Sequence, residues 1–349
     1  MANKVCGLMN MKRLTNIKIP QCSAILLATL MMVGCEVEFS PNADWKDVPV
    51  VYCVLDQDDD TTWVRVERCY LSEGDIYQFG TNSDSINYPA GSLQVSLIAL
   101  RNGTPVDSIA FDTTTANHND GLFVSSRQPL YCANTRRRLM EDCAYELRIR
   151  RTVDGSMLAK ARTNLITKRN EGHVVTSPND NKVFGFSVTK YCSIEWKGLD
   201  RARMYQPIVR FFYQVDNDTM YLDLPCSQVV SVPRIDSSTA PNYSVQYGKD
   251  AFLTSVYEAF KDDNTPKGYL KIFDIYITAC NEDLYAYMTS VAAGSNLEQS
   301  HEIYTNIEGG LGVFASRRTH ISRRVPGDPS DREGVGLYAL LKEMDVGFY

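Results

Sequence analysis

Read for the alternation of hydrophobic and polar positions, the chain is a succession of short strands. Residues 48–55 (VPVVYCVL) form an apolar run, DQDDDT interrupts it, and WVRVERCYL then resumes in alternation from Trp63. Leu93, Val95, Leu97 and Ala99 alternate next and stop at Asn102-Gly103, a strong hairpin turn from which residues 106–111 return. Tyr145, Leu147 and Ile149 share one face, with Glu146, Arg148 and Arg150 on the other, and Asp154-Gly155 turns that strand back into residues 157–165. Short strands punctuated by turn residues predict an immunoglobulin-like β-sandwich over residues 45–166.

The polar stretch 167–182 (TKRNEGHVVTSPNDNK) marks a boundary, and strand patterns follow it at residues 183–188, 192–196, 205–215, 219–224 and 269–277. Two helices are written among them. Leu253, Val256, Tyr257 and Phe260 would share one face behind Asp250 as the N-cap. Asn281 would cap the second, with Glu282 and Asp283 in its first turn, an apolar face of Leu284, Tyr287, Met288, Val291 and Ala292, and Gly294 to close it. The expected architecture is mainly β: the sandwich, then a β-rich α+β domain with two helices over residues 167–349.

The start of the chain changes the picture. Residues 24–33 (AILLATLMMV) form ten apolar residues behind Lys12, Arg13 and Lys18. Spanning a bilayer takes about 20 residues, so this is the pattern of a secretory signal over residues 1–34. MKRL at Met11 is also a more typical start than Met1. Met32-Val33-Gly34-Cys35 resembles a bacterial lipobox, which implies cleavage before Cys35, acylation of that cysteine and a firm lipid anchor. An ordinary secretory signal with an incidental cysteine is the alternative. Removing the four basic residues of the signal takes the formal net charge from −6 to −10. That balance argues against a nucleic-acid partner, and Arg136-Arg137-Arg138 reads as a solvated loop or helix face.

Export permits disulfides, and Cys132 with Cys143 is the nearest local pair among Cys53, Cys69, Cys132, Cys143, Cys192, Cys226 and Cys280. There is no C-x-x-C spacing. Asp56, Asp58, Asp60 and Glu67 match calcium-loop positions, but Thr61 stands where glycine should turn the loop. The strand that follows also carries Glu67 roughly 20 Å from Asp60, so an acidic hairpin tip is the better reading. His118, His173, His301 and His320 fall at no metal-ligand spacing, and G-x-S-x-G is absent. A glycosidase carboxylate pair can be neither found nor dismissed from one sequence.

GLGVFA, within the stretch EGGLGVFASRR (residues 308–318), matches G-x-G-x-x-A, the dinucleotide fingerprint. It lacks a long apolar strand before it and a helical pattern after it, and Pro326 and Pro329 follow soon. Its glycines instead predict a tight turn, with Leu311, Val313 and Phe314 packed on the core of the second domain.

NIEGGLGVFAS, which follows a helix that begins NEDLYAYM, resembles the C-terminal signature of a family of Bacteroidota outer-membrane lipoproteins known as a domain of unknown function. Its usual core is N-I-E-N-G-L-G-I-F-G/A. The early VVYCVLDQDDDTTWVRVERCYL is similar to the first hairpin of that family. The resemblance implies a lipid anchor at Cys35, an outer-membrane location and a place beside a TonB-dependent transporter. It supplies no catalytic residue and no cofactor. The expectation is a non-catalytic protein that binds a ligand or partner of unknown identity. A fimbrial or adhesion lipoprotein is the alternative, and a hydrolase ranks below both.

Overall fold

The polar break at DQDDDT becomes the tip of the first hairpin, and the strands on either side pair antiparallel with Tyr52 opposite Arg65. The computed structural model describes residues 47–69, 86–117, 127–167, 175–177, 183–186, 190–232, 241–294, 303–327 and 336–349. In chain order the strands are β1 (Pro49–Asp56), β2 (Thr61–Arg68), β3 (Leu93–Arg101), β4 (Thr104–Ala110), β5 (Asp112–Asn117), β6 (Arg127–Asn134), β7 (Ala144–Arg151), β8 (Met157–Asn164), β9 (Val175–Ser177), β10 (Tyr191–Lys197), β11 (Met204–Val215), β12 (Asp218–Pro225), β13 (Val229–Val230), β14 (Asn242–Gly248), β15 (Gly268–Cys280), β16 (Ile307–Glu308) and β17 (Leu311–Pro326). The helices are α1 (Lys249–Phe260), α2 (Glu282–Gly294) and α3 (Leu337–Glu343). The protein is mainly β.

Among the described residues the strands form three sheets. The largest has nine strands in the order β12-β11-β15-β17-β1-β2-β6-β5, with β13 also on β11; the others run β16-β8-β7-β3-β4 and β14-β10-β9. The two larger sheets share a core. Val51, Cys53 and Leu55 of β1 and Val64 and Val66 of β2 belong to one cluster with Leu97 of β3 and with Tyr145, Leu147 and Ile149 of β7. The alternation read along β7 is therefore the alternation of a sandwich layer. Asn102 and Gly103 close the β3–β4 hairpin with φ of 51° and 80°, as a two-residue turn between right-twisted strands requires.

A second core begins at Ile166, one residue past the end of the first core's run at Leu165. It is built on aromatic rings: Phe184 and Phe273 lie 4.5 Å apart between centroids, and Phe211 meets Phe252 edge-on at 5.7 Å. Such pairs add about 0.5–1.5 kcal/mol each beyond the area they bury.

The halves are joined by β17. Its first residues lie parallel to β1, with Val50 opposite Leu311 and Asp56 opposite Arg317. Its later residues pair antiparallel with β15, from Arg317 opposite Cys280 to Pro326 opposite Ile272. One sheet thus holds strands from before and after the polar stretch in sequence, unlike an isolated immunoglobulin sandwich. This pairing corrects one expectation: Phe314, fully buried, packs in the first core with Ile307, while Leu311 is exposed.

The helices differ from expectation in detail. Gly248 stands at the N-cap of α1 and Asp250 lies in the first turn, where its charge suits the helix dipole. The buried face is Phe252, Val256 and Phe260, since Phe252 anchors the helix in the aromatic core; Leu253 is only partly buried and Tyr257 is exposed. Asn281 does cap α2, its Oδ1 accepting from Leu284 N at 3.2 Å. The expected apolar face of α2 is not buried, and Met288 and Val291 are open to solvent. Helix α3 adds a third helix to the two expected; Leu337 and Leu341 bury a seven-residue stretch too short for a periodic signal.

Candidate interaction surface

The glycine-rich stretch is built for close strand contact. Gly309 has φ +85° and ends β16, and a Cβ on it would lie 2.9 Å from Leu158 O. Gly312 has φ +103°, and a Cβ there would lie 2.0 Å from Val51 O. No side chain fits between β17 and β1 at that point. The chain then continues as strand for sixteen residues, so no helix N-terminus follows to receive a pyrophosphate. Asn306 completes the arrangement: its Nδ2 donates to Phe314 O at 2.7 Å and its Oδ1 accepts from Phe314 N at 2.9 Å.

The acidic hairpin tip is answered by arginines. Arg317 Nε lies 3.0 Å from Asp56 Oδ2, and its Nη2 lies 3.3 Å from Asp59. Arg318, buried, reaches Asp58 at 3.5 Å and Glu141 at 3.3 Å and donates to Gln57. Arg136 meets Asp60 at 3.3 Å. Burial pushes the Asp56 carboxyl up, against the pull of Asp58 N–H and Arg317. Glu67 lies seven residues along β2, opposite Val50 and bonded to Arg65. Asp56, Asp58 and Asp59 hold arginines of the last strand and Asp60 holds Arg136, a structural task. Among the described residues no group of three or more His, Cys, Asp or Glu side chains could hold a metal ion.

The arrangement best suited to recognition lies on the outward face of the nine-stranded sheet. Along β11 the odd residues 205–213 are buried, so Arg210 and Phe212 point outward. Arg210 stands opposite Asp223 of β12 and grips it twice, at 2.6 and 2.8 Å. Its guanidinium carbon lies 3.9 Å from the Tyr221 ring centroid and 4.6 Å from that of Tyr276. A fork held by a carboxylate and flanked by two rings is rigid, and Asp223 raises its pKa further. Beyond Tyr221, β12 is the last strand of the sheet among the described residues, and Met220 and Tyr221 are exposed. Sequence reading missed this cluster, because Arg210, Tyr221 and Tyr276 lie on three strands and meet only through register.

Other residues singled out earlier are dispersed. Cys35 and the signal lie outside the described residues, as do His118, His173 and His301; His320 sits on β17 opposite Ile277. Cys132 and Cys143 are free thiols, not a disulfide: Cys132 is on β6 in the nine-stranded sheet, while Cys143 is buried at the entry to β7 in the facing sheet. Arg136, Arg137 and Arg138 form an exposed turn, where Arg138 pairs with Asp107 at 2.8 Å. Among the described residues no helix is long and apolar enough to cross a membrane.

No family model matches the sequence, and no curated protein matches it. Among solved structures, a chain of a cytokine receptor complex in crystal form 1A is similar at 11% identity and a TM-score of 0.22, over 80% of this chain and 99% of that one. A chain of a cytokine receptor complex in crystal form 2 is similar at 12% identity and a TM-score of 0.18, over 66% of this chain and 90% of that one. Scores this low carry no argument about fold or role.

Proposed function

We propose that this protein is a lipid-anchored, non-catalytic outer-membrane protein, tethered through Cys35, that binds a protein partner beside a TonB-dependent transporter. The observation that carries the reading is Arg210, held by Asp223 between Tyr221 and Tyr276 next to β12, the last strand of the sheet among the described residues. Tyr and Arg are the side chains most enriched where interfaces concentrate binding energy, and a pre-ordered fork loses little entropy on docking. The buried carboxylates Asp56, Glu146 and Asp274 are paired with arginines, Asp56 with Arg317, Glu146 with Arg148 and Arg162, and Asp274 with Arg323 at 3.8 Å, an arrangement that suits a structural role. Affinity capture of the tagged chain from outer membranes should bring down a TonB-dependent transporter. The edge of β12, unpaired among the described residues, also favours a second reading, a fimbrial or adhesion subunit that accepts a strand from its neighbour. Filaments lost on deletion of the gene, with no transporter captured, would replace the first reading by the second.

A further inference from the structure

Helix α2 packs along β17, touches β1 at Tyr52 and leaves apolar side chains uncovered. The helix starts at Asn281, whose N–H donates to Ser316 O at 3.1 Å, and six residues later Tyr287 meets Tyr52, with ring centroids 6.0 Å apart. Tyr52 stands opposite Val313. Six helical residues advance about 9 Å and three strand residues about 10 Å, so α2 runs back along β17 in step with it. Carried on to Val291, about 15 Å along the helix, the same path reaches Leu311, about 16 Å along the strand. Met288, Val291 and Leu311 are 41%, 43% and 44% exposed, and α2 packs along β17, so the two paths carry these side chains toward the same end of the pair. Ile303, 54% exposed, adjoins it, because Tyr304 N donates to Ser290 Oγ at 3.0 Å.

That end of the pair stands where the chain enters the fold. Leu311 is opposite Val50, and Gly310 is packed so tightly on Pro49 that a Cβ would lie 2.5 Å from Pro49 O. Pro49 comes fourteen steps along the chain after Cys35, so an anchor on Cys35 holds Pro49 within about 50 Å of the bilayer even when that segment is fully extended. Charges near this end are engaged among the described residues: Asp47 with Arg151 at 2.6 Å, Lys160 with Glu308 at 2.9 Å, Arg65 with Glu67, and Arg68, opposite Pro49, over the Tyr88 ring. Half-buried tyrosines at its border, Tyr52 and Tyr287, suit the level of the lipid headgroups.

We infer that this face, Met288 and Val291 of α2 with Leu311 of β17, rests on the lipid surface and sets the orientation of the anchored protein. The inference rests on the anchor reading of Cys35.

Two methionines of nearly equal exposure provide the test: Met288 at 41% and Met220 at 45% on the far edge strand β12. The mature lipidated chain, in phosphatidylcholine–phosphatidylethanolamine vesicles, is treated with a membrane-impermeant oxidant, and sulfoxide at each methionine is followed by mass spectrometry. Met288 is expected to oxidise at least ~5-fold more slowly than Met220, since oxidation follows exposure to solvent. Val291→Glu, which puts a carboxylate in the contact, should bring the two rates together. Equal rates in the unsubstituted protein overturn the inference. So does protection of Met288 that grows with protein density in the vesicle, because a second copy would then be the cover. A chain that does not float with the vesicles at all refutes the anchor, and the inference with it.

Discussion

The side-chain amide of Asn306 brackets the backbone of Phe314, donating to its carbonyl at 2.7 Å and accepting from its N–H at 2.9 Å. In effect one side chain serves as a strand neighbour for β17 on the side that β1 does not cover, and Asn281 does the same for Ser316 two residues on, through its own N–H and Oδ1. The buried Phe314 then fills the first core from a strand that belongs to the end of the chain.

Asn306→Ala leaves the Phe314 backbone groups without these partners and should lower stability by about 1–3 kcal/mol. Urea unfolding measures it. A midpoint unchanged from the parent would show that the bracket is incidental.

Gly312→Ala requires φ near +103° from an L-residue and puts a Cβ 2.0 Å from Val51 O. The cost should be about 3 kcal/mol or more, enough to part β17 from β1. At Gly91, also at positive φ but with open space around it, Ala should cost only about 1 kcal/mol. Thermal unfolding of the two variants side by side checks the contrast.

Acid should weaken the fold through two carboxylates. Burial alone would raise Glu146, but Arg148 and Arg162 outweigh it and hold the carboxyl below the usual range. Asp263 is lowered to about 2 by hydrogen bonds from the Thr265 side chain and N–H and by Lys267. Groups whose pKa is depressed on folding stabilise the fold above their unfolded value, about 4, and that contribution is lost as pH falls through the folded value. The urea midpoint should therefore drop between pH 5 and pH 2. Replacing both Arg148 and Arg162 by Gln should flatten that limb, and an unchanged limb would assign the loss to other groups.

Thiol reactivity should follow burial. Burial pushes Cys226 up to about 12 and Cys280 up to about 11, and raises Cys53 as well. Iodoacetamide at pH 8 should label the half-exposed Cys69 and Cys132 at least ~10-fold faster than these three. Equal labelling, read by peptide mass spectrometry, would mean that the cores open readily.

Local patterns carried the strands. Tyr145, Leu147 and Ile149 alternate because β7 has one face in the core, and Asn102-Gly103 and Asp154-Gly155 turn where positive φ is needed. Asn281 was readable as a cap because a cap needs only its own helix. What stayed hidden depends on distant pairing. Nothing near Phe314 says that it will lie beside Cys53, more than 250 residues earlier, and so its core was misassigned. The face of α1 turned toward Phe252 because the second core supplied aromatic neighbours that periodicity does not show. The Tyr221–Arg210–Tyr276 stack was invisible for the same reason, since it spans three strands.

The most direct measurement is affinity capture from outer membranes with the tagged chain and with its Arg210→Ala variant, both shown to be folded and membrane-bound. If the outward sheet face binds the partner, the unsubstituted chain retains a TonB-dependent transporter and the variant loses it by at least ~10-fold, as for an interface hot spot. Equal capture by both would contradict the proposed surface, and capture by neither would contradict the proposed role.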